Sequence, residues 1–142
     1  MADARTEIKP GDTAQRSLHV TSETVLAYAE LTGDYNPLHF DAGFTSRTRF
    51  GRLMAQGGIT TGLLHALVAM DLPGPGSVFM SQSWSFPRPA YIGDTLTAVA
   101  TVKSARSSRG IYGIEFVVRN QDDEEVLTGE ATVYHAKPAP DA

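Results

Sequence analysis

The chain has 142 residues, no cysteine and a formal net charge of -4 at neutral pH. That length suits one domain with a sizeable core, and 42% hydrophobic with 20% charged residues is ordinary globular composition. Without cysteine there is neither a disulfide framework nor a zinc–thiolate site, and the negative charge argues against a nucleic-acid partner, whose phosphates need a positive face. The histidines His19, His39, His65 and His135 stand far apart, with no H-x-x-x-H or H-E-x-x-H spacing, so no metal site is expected. No apolar run approaches the roughly 20 residues of a membrane span, and the N-terminus lacks a signal-peptide pattern. A soluble, cytoplasmic protein is the expectation.

Met1 to Ile8 reads as a loose polar end. Gly11-Asp12 is a turn, and Ala14 to Val20 a short strand. Thr21 is a helix N-cap, with Glu23 in the first turn where negative charge suits the dipole. Val25, Leu26, Tyr28, Ala29 and Leu31 then form a helical apolar stripe that ends at Gly33. Pro37 cannot continue that helix. The segment between is therefore read as a fixed turn whose polar side chains project into a cleft. Asp34, Asn36 and His39 bring a carboxylate, an amide and an imidazole into this turn. Taken singly they are ordinary turn residues. As a set, Asp34 and His39 put two proton-exchanging groups into one turn, which suits proton removal and donation.

Asp41 caps a short helical turn holding Phe44. Arg47, Arg49 and Arg52 follow close together. They are either a solvated loop or contacts to the phosphates of coenzyme A or a phosphopantetheine carrier. No glycine-rich phosphate loop of the Walker or dinucleotide type occurs.

Gln56-Gly57-Gly58 opens a second helix through Ile59, Leu63, Leu64, Leu67, Val68 and Met70, apolar nearly all round and so expected to be buried. Leu72-Pro-Gly-Pro-Gly76 breaks it. Gly57 and Gly58 let a ligand approach backbone N–H groups at the positive end of the dipole, and equally allow close packing. His65, mid-helix, reads as a core or pocket-wall residue.

From Ser77 the period becomes two. Val78, Met80, Gln82, Trp84 and Phe86 form one mostly apolar face of a strand ended by Pro87 and Pro89. Leu96, Ala98, Ala100 and Val102, then Tyr112, Ile114, Phe116 and Val118, then Leu127, Gly129, Ala131 and Val133 repeat the pattern. Turns at Arg106–Gly110 and Asn120–Glu124 make these strands an antiparallel meander. Lys137 to Pro140 is a loose tail. The fold class is α+β, a sheet wrapped around one buried helix, with residues 1–142 as a single domain and an ordered core from about 9 to 135.

The run Gly33-Asp-Tyr-Asn-Pro-Leu-His39, entered from an apolar helix, resembles the G-D-x-N-P-x-H hydratase/dehydratase motif of MaoC-like proteins, which include (R)-specific enoyl-CoA hydratases. The resemblance spans nearly the whole chain, from about Lys9 to His135. It implies a hot-dog fold, dimerisation with the site near the subunit interface, and reversible hydration of a trans-2-enoyl thioester to the (R)-3-hydroxyacyl thioester. No cofactor is implied beyond the coenzyme A, or the phosphopantetheine of an acyl carrier protein, that bears the substrate. By the same resemblance Asp34 takes a proton from the attacking water, while His39 orients that water and supplies the proton to C2. Asn36 is the supporting amide. The Gly57 backbone N–H, with Gly58 beside it, is the donor to the thioester carbonyl. One departure concerns Gln56-Gly57, where many members carry His-Gly, and Gly58, where many carry a larger residue; it bears on the pocket wall and on acyl preference. A hot-dog acyl-thioesterase and a non-catalytic acyl-thioester-binding subunit are the alternatives. The motif order opposes the first and the intact Asp34, Asn36 and His39 the second.

Overall fold

The structure is a computed structural model describing residues 7–137. Five antiparallel strands form one sheet in the order β1-β3-β4-β5-β2: β1 (Thr13–His19), β2 (Ser77–Ser85), β3 (Thr95–Arg106), β4 (Ile111–Arg119) and β5 (Glu125–His135). Helix α1 (Ser22–Thr32) and the one-turn helices α2 (Pro37–Phe40) and α3 (Ala42–Thr45) precede α4 (Gly57–Met70), which packs against β1, β3 and β2. This is the expected α+β hot-dog arrangement of sheet and central helix.

The period-two faces explain why the sheet closes on α4. Leu96, Ala98, Ala100 and Val102 on β3, Ile114, Phe116 and Val118 on β4, and Leu127 and Val133 on β5 are each 0–1% exposed. Ala98 and Ala100 keep the middle of β3 shallow, so α4 can lie close to it. From α4 the sheet receives Ile59, Leu63, Leu64, Leu67 and Val68, all buried. Each such large aliphatic contributes about 1.5–3 kcal/mol by leaving water.

Several expectations need correction. Only β3, β4 and β5 form a meander; β2 pairs with β5, and β1 with β3. After Phe86 the chain crosses the molecule, where Met54 bridges Tyr91 and the Ala55 N–H donates to the Ala90 carbonyl at 2.8 Å. The face of β2 is not continuous either. A register shift between Phe79 and Ser81 puts Phe79 inward before it and Trp84 inward after it, leaving Val78 56% and Met80 59% exposed, while Phe86, beyond the end of the strand, is 52% exposed. An inserted residue flips the alternation, because side-chain direction has period two.

Helix α4 is buried on one face and not all round: Gly62, His65 and Met70 are exposed. On α1 only Val25 and Ala29 are buried, whereas Leu26 and Leu31 face outward. Ile8, assigned to the loose end, packs into the core at 8% exposure. Residues 1–6 and 138–142, which include most of both expected loose ends, lie outside the described residues.

Candidate active site

Helix α1 delivers the first functional group. The Thr21 hydroxyl accepts from the Thr24 N–H at 3.1 Å, capping the start. At the other end Gly33 takes φ 85° while its N–H donates to the Ala29 carbonyl at 2.7 Å. That left-handed residue ends the helix and turns Asp34 away from its axis. Asp34 Oδ1 then accepts the Asn36 N–H at 3.3 Å.

Pro37 does not merely end a helix, as expected; it begins one. Its fixed φ suits the first position of a helical turn, where its missing N–H is no loss. Asn36 caps that turn, its Oδ1 accepting the Leu38 N–H at 3.1 Å. The oxygen of the amide expected to support the water or the histidine thus holds the first turn of α2, which carries His39. The His39 side chain is buried, and its Nε2 lies 3.7 Å from Asp34 Oδ1. This is too long for a direct hydrogen bond and suited to sharing one water.

The other ring nitrogen fixes the tautomer. His39 Nδ1 donates to the Met54 carbonyl at 2.8 Å; a carbonyl only accepts, so Nδ1 carries the proton. With Nδ1 committed to Met54, Nε2 is the ring nitrogen that faces Asp34. Met54 is itself held by its N–H donating to the Leu38 carbonyl at 3.0 Å. Sequence reading missed Met54, and nothing in its side chain could have signalled it, because a backbone atom makes the contact.

Three residues later α4 begins. Its first N–H groups have no intrahelical partner by the geometry of any helix start, and Gly57 is exposed there. A Cβ on Gly57 would stand 3.5 Å from the Phe86 ring, an ordinary contact. Gly57→Ala should therefore be tolerated, while the branched side chain of Gly57→Val should reduce kcat/KM at least tenfold by obstructing the amide (about 1.4 kcal/mol). Unchanged kcat/KM in folded Gly57→Val would remove this amide from the site.

Gly58 differs. A Cβ there would lie 1.7 Å from Tyr28 Oη, so the tyrosine occupies the space that a larger residue would need. Gln56 is 1% exposed, and its Nε2 donates to the Val25 carbonyl at 3.0 Å, tying α4 to α1. Its role is structural. His65, expected in core or pocket wall, is exposed, stacks on Phe79 with centroids 4.2 Å apart, and pairs through Nε2 with Gln82 Oε1 at 3.0 Å.

A cleft of about 320 Å³ opens beside this centre, with Met54, Gly57, Phe50, Phe86, Arg49 and Arg88 among its walls. The expected arginine trio is split. Arg49 lines the cleft, Arg52 stacks 3.9 Å from the Tyr91 ring centroid, and Arg47 is exposed away from the cleft lining. Arg88 was not anticipated. No cluster of three metal-ligating side chains occurs among the described residues.

The chain matches the family described as MaoC like domain over residues 4–125. It is 34% identical over 126 residues to the (R)-specific enoyl-CoA hydratase of Aeromonas caviae, covering 89% of this chain and 94% of that protein. It is 30% identical over 132 residues to the mitochondrial 3-hydroxyacyl-[acyl-carrier-protein] dehydratase of Arabidopsis thaliana, covering 91% and 78% of the two. The solved A. caviae (R)-hydratase superposes with a TM-score of 0.87 at 32% identity, over 93% of this chain and all 100% of that one. With the motif, the sheet around its helix and a match running from residue 4 to 125 in agreement, the chain belongs to the MaoC-like domain family.

Proposed function

We propose that this chain is a hydro-lyase that reversibly hydrates trans-2-enoyl thioesters to (R)-3-hydroxyacyl thioesters. The observation that carries the reading is the facing pair: an Asp34 carboxylate 3.7 Å from His39 Nε2, with the imidazole's other nitrogen held by the Met54 carbonyl. The names of the relatives, a hydratase of CoA thioesters and a dehydratase of carrier-protein thioesters, agree with it.

In this mechanism one water donates its two O–H groups to the two acceptors, Asp34 and neutral Nε2, and presents its lone pair to C3. Asp34 takes the water's proton as the O–C3 bond forms. Electron density moves from the C2–C3 double bond onto the thioester oxygen, which accepts the Gly57 N–H. Asp34 passes that proton to His39 Nε2, which delivers it to C2, so the water ends as OH at C3 and H at C2 and both side chains return to their starting states. The substrate's coenzyme A or phosphopantetheine is the only non-protein group in this scheme.

A homodimer or higher oligomer, acting in the cytoplasm, belongs to the same reading. β2 is an edge strand, and Val78, Met80 and Met70 stand 56–59% exposed. Uncovered edges and apolar side chains of this kind favour pairing with another chain. No helix among the described residues is long and apolar enough to cross a membrane. Sedimentation should give at least twice the 15.3 kDa chain mass, and Met80→Asp should shift it toward one chain. A monomeric wild type would overturn the dimer.

The deciding experiment follows loss of enoyl-thioester absorbance with crotonyl to dodecenoyl chains on both carriers, with chiral analysis of the product. Formation of the (R)-alcohol is expected. Thiol release without hydration would make the protein a thioesterase, and no turnover on any substrate a binding subunit.

A further inference from the structure

The cleft beside the catalytic pair carries two cations from separate parts of the chain: Arg49 after α3 and Arg88 in the connection from β2 to β3. Neither is engaged by a buried partner. The Arg49 guanidinium carbon sits 5.0 Å from the Phe50 ring centroid. Arg88 Nε lies 3.3 Å from Glu124 Oε2, with the two side chains 52% and 47% exposed. Glu124 in turn accepts from Asn120 Nδ2 at 3.3 Å, in the turn between β4 and β5. An exposed pair such as Arg88–Glu124 is weakly held, because water and salt screen it. An incoming phosphate can replace the carboxylate, because guanidinium and phosphate form paired charge-assisted hydrogen bonds.

Apart from Thr60, the rest of the lining is apolar or glycine and includes Phe86, Pro89 and Val126. In a chain of net charge -4, two arginines at one apolar slot create a local preference for an anion with an apolar stem. The slot is also continuous with the reaction centre. Gly57 lines it, and so does Met54, whose carbonyl holds the His39 ring.

We propose that this cleft receives the carrier arm of the thioester, with Arg49 and Arg88 holding the phosphate of its phosphopantetheine. The proposal rests on the hydratase reading for where the thioester carbonyl sits. A carbonyl at the Gly57 amide fixes the sulfur beside the mouth of the slot, and the arm leaves along the walls that Gly57 shares. The arm's methylene and dimethyl segments meet Phe86 and Pro89, and its phosphate meets the arginines. Coenzyme A and an acyl carrier protein present this same chemistry; coenzyme A adds nucleotide phosphates. Arg52, stacked on Tyr91, and Arg47, outside the lining, take no part.

The test measures hydration of one enoyl group on coenzyme A, on phosphopantetheine and on phosphate-free pantetheine, in wild type, Arg49→Gln, Arg88→Gln and Glu124→Gln. Arg49→Gln and Arg88→Gln should each raise KM about tenfold on the two phosphorylated thioesters, as expected for a lost charge-assisted contact. Their kcat, and their KM on the pantetheine thioester, should stay unchanged. Glu124→Gln should lower KM or leave it unchanged, since it frees Arg88. A merely structural ion pair would instead impair both partners alike, on all three substrates, and that result overturns the proposal. So does an arginine effect confined to coenzyme A, which would assign the contact to nucleotide phosphates. If no thioester is hydrated, the hydratase reading fails by itself. Calorimetry of free phosphopantetheine against pantetheine then still reads the cleft, and equal affinities, or no loss in Arg88→Gln, would overturn the carrier-arm site.

Discussion

Asp34→Asn and His39→Ala should each lower kcat for hydration about 10²–10⁴-fold, the range of a lost general acid–base step. The two variants test the pair from different directions. Asn keeps the shape of Asp34 and an oxygen to accept the Asn36 N–H, but takes no proton, so melting temperature should hold while turnover falls. His39 is buried, and its loss strands the Met54 carbonyl. His39→Ala therefore also costs about 1–3 kcal/mol of stability, and its activity is compared at a temperature where circular dichroism shows it folded. Because the two groups hold one water, the double variant should be little slower than the worse single one. Near-full activity in either folded variant would remove that residue from the chemistry. Multiplicative losses would show the two act on separate steps.

A second large effect is expected from a single methyl group. In Gly58→Ala the new Cβ would meet Tyr28 at Oη and also at ring carbons 2.3 and 2.6 Å away. A tyrosine ring cannot bend, so the whole side chain must swing out from between α1 and α4, where it packs against the core. Overpacking of this kind costs about 1–3 kcal/mol, a melting-temperature loss of several degrees for a domain of this size. Thermal unfolding of Gly58→Ala, Tyr28→Ala and the double variant isolates the cause. If the clash is responsible, the double variant is more stable than the two separate losses predict. An unchanged melting temperature in Gly58→Ala would sink this account of the glycine. The departure from larger residues at this position is then compensated within the same chain: where Gly58 lacks a side chain, Tyr28 supplies one.

The success and failure of the sequence reading have a common physical pattern. Features that depend on neighbours along the chain were legible: the Thr21 cap, the Gly33 stop, the alternation of β3, β4 and β5, and the crowding of Asp34, Asn36 and His39 into one turn. The β2 face was misread because one inserted residue at Phe79–Ser81 reverses every side chain beyond it, and the composition of the strand does not mark the insertion. Helix α4 was read as buried all round because its apolar residues leave little contrast between faces; which face meets the sheet depends on where β1 and β3 run.

Gln56 and Arg88 illustrate the same limit at the site. A glutamine before two glycines gives no hint that its amide will bond to Val25, thirty-one positions earlier in the chain. Nor does an arginine between two prolines announce a cleft shared with Gly57. Local propensity and periodicity were enough to determine the elements and the α+β class, and the close spacing of Asp34, Asn36 and His39 was enough to propose them as the site, because each rests on backbone sterics or on side chains a few residues apart. The folded chain alone could set the His39 tautomer through Met54, the partner that keeps Gly58 small, and the choice of Arg49 over Arg47 and Arg52. Each of these is a contact across the packed core or the cleft, made by whichever distant atoms the sheet and α4 bring within reach.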